Sequence, residues 1–254
     1  MIKGGDHRPL VMRALVYSHL YELPATTPER RAALRSMLTL WYDHLRGPGR
    51  FNGDVLLFTN AADVPVRDVR VRPIRDALPD PGHAFLNRVL AFEDVPVRDY
   101  DVAIQMDLDI LAVDDIAPLF PSDERLWAAP SNLRMLDRRH TWELLPRWRR
   151  GLHRITGWRM HEGGASACVV GSASATWHRN FGAWASVIRE YSGRPIPRQA
   201  DQSFLNLLLL RRTVPIALWP AAAIVHRDWD RAVGARLLHF PGARKAQMER
   251  FRKV

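Results

Sequence analysis

An apolar run that stops on two aspartates one residue apart constrains this chain most. Residues 100–119 read YDVAIQMDLDILAVDDIAPL. The run opens as a buried strand, and Asp107 and Asp109 close it. In an extended segment alternate side chains share a face, so both carboxylates would point to one side at the carboxyl end of a strand. Hard divalent cations take oxygen ligands, and one that keeps open positions can hold a substrate diphosphate. Asp-x-Asp also occurs in solvated turns, but here VAI precedes the pair and ILAV follows it. Asp114, Asp115 and an Ile-x-x-Leu pattern come next. The segment points to a metal-dependent site for a nucleotide-linked substrate.

The flanking elements alternate. Residues 11–18, VMRALVYS, read as a first strand. Thr27-Pro28-Glu29-Arg30 is a helix start, with a cap, a proline in the first turn and an acid behind it. Leu34, Leu38, Trp41 and Leu45 recur at helical spacing, and Gly47-Pro48-Gly49 ends the element. Residues 54–60 are a second strand, and 66–72, VRDVRVR, a third at a charged edge. Residues 83–92 read as a helix before the Asp-x-Asp strand. Further on, 165–171 form a strand, and Trp177–Tyr191 and 201–210 form helices, the last with Phe204, Leu205, Leu208 and Leu209 as core. Strand–helix alternation implies an α/β domain with a mostly parallel sheet and covered faces. Ligands of such sheets sit beyond the carboxyl ends of the strands, where the two aspartates fall. The 254 residues suffice for one such domain, 1–254, with a basic tail at 243–254.

Lys and Arg number 37 against 27 Asp and Glu, a net charge of +10. That excess suits an anionic partner such as a nucleotide diphosphate or a membrane surface. Cys168, the one cysteine, excludes an intramolecular disulfide and sits among apolar neighbours as a buried strand thiol, in keeping with a reducing cytoplasm. No secretory leader is expected, and the longest apolar stretches are too short to span a bilayer. The stretch 140–158 interleaves Trp142, Trp148 and Trp158 with Arg147, Arg149, Arg150 and Arg154. It matches no nucleic-acid motif and reads as a helix with tryptophan on the core, so no nucleic-acid partner is expected. The templates of dinucleotide folds, phosphate-binding loops, zinc proteases and serine hydrolases are absent.

Three segments, in order, resemble the retaining glycosyltransferases of family eight, which include galactosyltransferases and glycogenin. They are the Asp-x-Asp strand, Asp201-Gln202-Ser203-Phe204-Leu205-Asn206, and Leu238-His239-Phe240-Pro241-Gly242-Ala243-Arg244-Lys245. The third departs from the family after Lys245, where Ala246-Gln247 replaces Pro-Trp. Glu162-Gly163-Gly164-Ala165 stands where the family has Asn-Ala-Gly, so sugar and acceptor stay open.

The resemblance implies a single Rossmann-like nucleotide-diphospho-sugar transferase domain of the GT-A fold. It implies transfer of a hexose from a nucleotide sugar, a UDP-sugar above all, with retention of configuration. Mn²⁺ or Mg²⁺ would be held by Asp107, Asp109 and His239. Lys245 and Gly242 would meet the phosphates, alongside the metal held by Asp107. Tyr17 and Ser18, ending the first strand, would meet the base and ribose. Asp201 and Gln202 would lie near the anomeric carbon as catalytic residues. A glycan or lipid-linked acceptor fits, as does weak contact of the tail with the inner membrane face from the cytoplasm. The residues also admit a nucleotidyltransferase, for which Lys3-Gly4-Gly5 is a poor loop, or a non-catalytic module binding RNA or anionic lipid.

Overall fold

The computed structural model describes residues 12–74, 81–131, 164–191, 200–226, 229 and 232–252. The segment 140–158 and Lys3-Gly4-Gly5 lie outside them.

Strand β1 (Ala14–Leu20) leads into helix α1 (Pro28–Arg46), then β2 (Asp54–Thr59) and β3 (Arg70–Pro73). Helix α2 (Pro81–Leu90) precedes β4 (Val102–Met106) and β5 (Ile110–Ala112). Strands β6 (Leu126–Pro130) and β7 (Ala165–Ala173) follow, then helices α3 (Trp177–Glu190) and α4 (Ala200–Arg211). Strands β8 (Ile216–Leu218), β9 (Ile224–Val225) and β10 (Leu237–His239) come last, with a 3-10 segment over Gly242–Phe251.

The first helix begins where its sequence says it should. The Thr27 hydroxyl accepts the Arg30 N–H at 3.3 Å, and Pro28 occupies the first turn. Leu38, Trp41 and Leu45 are buried and Leu34 packs beside them. Gly49 is needed after the helix because a Cβ there would stand 2.6 Å from the Leu45 carbonyl oxygen and 2.8 Å from Ala112. The helix end thus presses on β5, the strand that follows the aspartates.

Seven strands form the main sheet in the order β3-β2-β1-β4-β7-β6-β8. Every pairing is parallel except the two made by β7, so β7 alone runs against the rest. Charged Arg70 and Arg72 lie on the edge strand β3, as edge protection requires. The central strands are buried on both faces. Leu15 and Tyr17 face a cluster with Phe58, Trp177, Phe181 and Leu205 on the side of α2, α3 and α4. Val16 and Leu20 face the opposite cluster with α1, through Leu38, Trp41 and Leu45. A small sheet, β5-β10-β9, lies beyond, and Leu40, Leu111, Leu238, Phe240 and Met248 tie it to α1 and the tail.

The fold is therefore α/β with a mostly parallel central sheet. Two local expectations need correction. The first strand runs on to Leu20, because Ser18, His19 and Leu20 pair with Leu57, Phe58 and Thr59. In α4, Leu207 is buried and Leu209 only half-buried, because this helix packs on β7, α2 and α3 together and buries most of its circumference. In the tail, Met248 is buried and Phe251 stacks edge-on against Phe240, so its apolar pair serves the interior. No helix among the described residues is long and apolar enough to cross a membrane.

Candidate functional site

The two aspartates leave β4 in a turn, not in an extended segment. Ile110 N–H donates to the Asp107 carbonyl at 3.2 Å, and the Asp107 N–H donates to Cys168 in β7 at 2.9 Å. The turn sends the carboxylates to different partners. Asp107 Oδ1 accepts from Gln105 at 2.8 Å and from the Arg88 guanidinium. Asp109 turns to the small sheet, where its carbonyl accepts the Phe240 N–H at 2.9 Å. Its carboxylate meets Lys245 Nζ at 2.9 Å and His239 Nε2 at 3.6 Å.

Arg88 was not visible as a site residue in the sequence, yet it organises one half of the cluster. It lies on α2 with Ala84 and Asn87 on the buried face of the helix. One arm of its guanidinium holds Asp107 and the other pairs with Asp201 on α4. Its side chain is 9 % exposed and that of Asp201 is 3 %, so this is a desolvated pair. The only signal was its spacing, four residues after Ala84 and so on the same face of the helix.

Helix α4 is docked by Asn206. Its amide accepts the Ala165 N–H at 3.0 Å and donates to the Ala165 carbonyl at 2.8 Å, clamping the helix to the start of β7. The clamp fixes Asp201 against Arg88 and brings Gln202 Oε1 to 3.5 Å from the Ser166 hydroxyl. The Asp-Gln-x-x-x-Asn spacing thus has a structural reason.

Around Arg88 gathers a set of buried polar atoms without hydrogen bonds among the described residues: the hydroxyls of Tyr17 and Tyr21, both ring nitrogens of His19, and Gln105 Oε1. Tyr17 and His19 share one face of β1, Tyr21 stacks on His19 just past the strand's end, and Tyr17 is in register with Gln105. Burial raises the pKa of both phenols and lowers that of His19, with the Arg88 charge the next influence on each. All three stay neutral near pH 7. His19 and Tyr21 were missed because an aromatic alternation reads as core. Ser18 points to the other face of the sheet from Tyr17, so these two do not form one contact surface.

On the Asp109 side, burial alone would raise the carboxyl pKa. The His239 contact and the Lys245 ammonium outweigh it and hold the group well below the usual carboxylate range. Asp109 Oδ1 is buried without a hydrogen bond. An unsatisfied carboxylate oxygen beside an imidazole nitrogen is a donor pair that a hard divalent cation could use, but among the described residues Asp107, Asp109 and His239 are not gathered into one ligand set, because Arg88 holds Asp107 and Lys245 occupies Asp109. Gly242 has φ +62°, a left-handed turn that starts the 3-10 segment carrying Lys245.

A cavity of about 530 Å³ lies elsewhere, lined by Met12, Ala14, Asn52, Asp54, Tyr100 and Phe120 among others. It opens at the amino ends of β1 and β2 and contains none of these residues. The polar cluster lies at the carboxyl ends, where parallel sheets place their ligands.

No family model matches the chain, and no curated protein matches it in sequence. Among solved structures it is similar to the galactosyltransferase LgtC in complex with donor and acceptor sugar analogues. The identity is 15 %, the TM-score 0.59, and the match covers 94 % of each chain. The main sheet and its helices thus match a GT-A glycosyltransferase fold over nearly the full chain.

Proposed function

We propose that this chain is a glycosyltransferase that moves a hexose from a nucleoside diphosphate sugar, a UDP-sugar above all, to a glycan or lipid-linked acceptor. One observation carries the reading. Two charged groups, Asp107–Arg88–Asp201 and His239–Asp109–Lys245, converge at the carboxyl end of a GT-A sheet, beside buried polar atoms that lack partners.

Negative charge grows on the diphosphate as the glycosidic bond breaks, so groups that meet that charge lower the barrier. Asp107, Asp109 and His239 would hold Mn²⁺ or Mg²⁺, which when bound would neutralise the leaving diphosphate. Lys245, released from Asp109 when a cation takes its place, would turn to the phosphates. The left-handed turn at Gly242 leaves room for them, since nothing lies within 4 Å of a Cβ built there.

Asp201 and Gln202 would face the donor sugar. Arg88 pairs with both Asp201 and Asp107, so the sugar end and the diphosphate end of the site are set by one guanidinium. Neutral Tyr17 and Tyr21, with the His19 ring, would offer hydrogen bonds along β1 to the nucleotide. Retention of configuration belongs to the same reading. It follows either from a glycosyl-enzyme on Asp201 or Gln202, or from same-face attack by the acceptor.

The test is product analysis. Incubation with UDP-sugars and Mn²⁺ should release free UDP. Release of pyrophosphate would instead support a nucleotidyltransferase, and no turnover or binding of any nucleotide sugar would remove the reading.

A further inference from the structure

Beside the hard-oxygen ligands lies a second constellation with different chemistry. Cys168 on β7, His226 just after β9 and His239 ending β10 place one ligand atom each within 4.8 Å of one another. Among the described residues this is the trio of metal-binding side chains so gathered, and neither Asp107 nor Asp109 joins it. Three strands from two sheets deliver these atoms to one point.

The second partners of the two imidazoles are as informative. His226 Nε2 lies 2.8 Å from the Pro130 carbonyl, which can only accept, so this nitrogen carries the proton and Nδ1 has the lone pair. His239 Nε2 faces the Asp109 carboxylate at 3.6 Å. The Nδ1 atoms of the two rings stand 2.7 Å apart, with the rings edge-on at 73°. Metal-bound histidines almost always present their other nitrogen to a carbonyl or carboxylate in this way, and the pattern orients the ring and fixes its tautomer. Here one ring has the carbonyl and the other the carboxylate.

We propose that Cys168, His226 and His239 form a binding site for a borderline-soft divalent cation of the zinc class, distinct from the Asp-x-Asp site. One thiolate and two neutral imidazoles with a fourth position open are a zinc-type ligand set, whereas Mg²⁺ and Mn²⁺ prefer oxygen. Binding forms one bond from the cation to sulfur and two to Nδ1 atoms, and both the thiol proton and the proton shared between the two Nδ1 atoms leave to solvent. His239 serves this site through Nδ1 and the Asp-x-Asp site through Nε2. A cation at Cys168 therefore asks for the tautomer that protonates Nε2 toward Asp109, and withdraws His239 from the other site. Occupancy couples the main sheet to the small one and opposes the donor-binding arrangement. The site itself stands without the glycosyltransferase reading; only this last consequence rests on it.

The experiment uses the full chain, without an affinity tag and freed of metal, titrated with Co²⁺ in the absence of nucleotide. One equivalent should bind with a thiolate-to-cobalt charge-transfer band in the near ultraviolet. The chain has a single cysteine, so such a band can arise from Cys168 alone. Zn²⁺ should displace the Co²⁺ and abolish the band. His226→Gln, with an unchanged circular dichroism spectrum, should weaken Co²⁺ binding about tenfold or more, on the scale of losing one ligand or its support. Cys168→Ser should remove the band while leaving the fold. Absence of the band in the wild-type protein, or a band of full strength and affinity in His226→Gln, would overturn the proposal. Because no nucleotide sugar is present, neither result depends on whether the chain transfers sugar.

Discussion

Arg88 on α2 and Asp201 on α4 form a buried ion pair, and the same guanidinium holds Asp107 at the end of β4. Two carboxylates far apart in sequence are thereby fixed through one cation. Removing that cation strands both.

Arg88→Ala should destabilise the fold by about 3–5 kcal/mol, the usual consequence of leaving a buried charge uncompensated. Chemical denaturation reads this directly. The double variant Arg88→Met with Asp201→Asn should cost less than the sum of the single changes, because it removes both charges together. A loss under about 1 kcal/mol in Arg88→Ala would mean that the pair is solvated.

Asp201→Asn should fold, since the amide keeps the size of the side chain and can still accept from Arg88. It should bind UDP as the wild type does but lower kcat by about 10²-fold or more, the scale on which a group stabilising developing charge acts. Near-normal turnover would reduce Asp201 to a structural partner of Arg88.

The pH dependence of stability has a source in His19. Its half-buried ring stacks on Phe58 at 5.0 Å and 15° with both nitrogens shielded, and burial followed by the Arg88 charge lowers its pKa well below 6.5. The unfolded chain takes up the proton first as pH falls. Stability from the neutral ring is thus present above about pH 6.5 and declines below it, by at most about 1.4 kcal/mol per pH unit, until the folded pKa is reached. His19→Phe preserves the stacking shape and should flatten the urea midpoint between pH 7 and pH 5. An unchanged slope would place the acid sensitivity elsewhere.

Much of this arrangement was legible in the chain. Thr27-Pro28 announced α1, the apolar run before Asp107 announced β4, and the charged alternation at 66–72 announced an edge. Strand direction was not, because alternation fixes which side chains share a face and says nothing of polarity; β7 proved antiparallel. The Asp107–Asp109 turn was read as extended, since two residues cannot distinguish a strand end from the turn that follows it. Arg88 was hidden by the habit of placing charge in water, which holds unless a partner is buried with it. His226 carries no motif at all; only the pairing of β9 with β10 brings it to His239.

The tail offers a separate check. Met248 is buried against Leu40 and Phe240, and Glu249 ties to Ser36 at 2.7 Å. Met248→Ala should cost about 2–5 kcal/mol, as for other large-to-small core changes. Arg252 pairs with Glu249 at 2.7 Å, which leaves the exposed Arg250 to meet an anionic surface. Sedimentation with anionic vesicles should be weak, lost at high salt and reduced by Arg250→Glu, while neutral vesicles bind nothing. Salt-insensitive binding would point to an apolar contact that the buried Met248 does not supply.

The central claim is a cation-dependent donor site on Asp109, and calorimetric titration of UDP tests it most directly. Wild-type protein should bind UDP in the presence of Mn²⁺ and lose that binding in chelator. Asp109→Ala, folded by circular dichroism, should bind UDP no better with Mn²⁺ than without. UDP binding that is unaffected by Mn²⁺ in the wild type, or equally Mn²⁺-dependent in Asp109→Ala, would contradict the account.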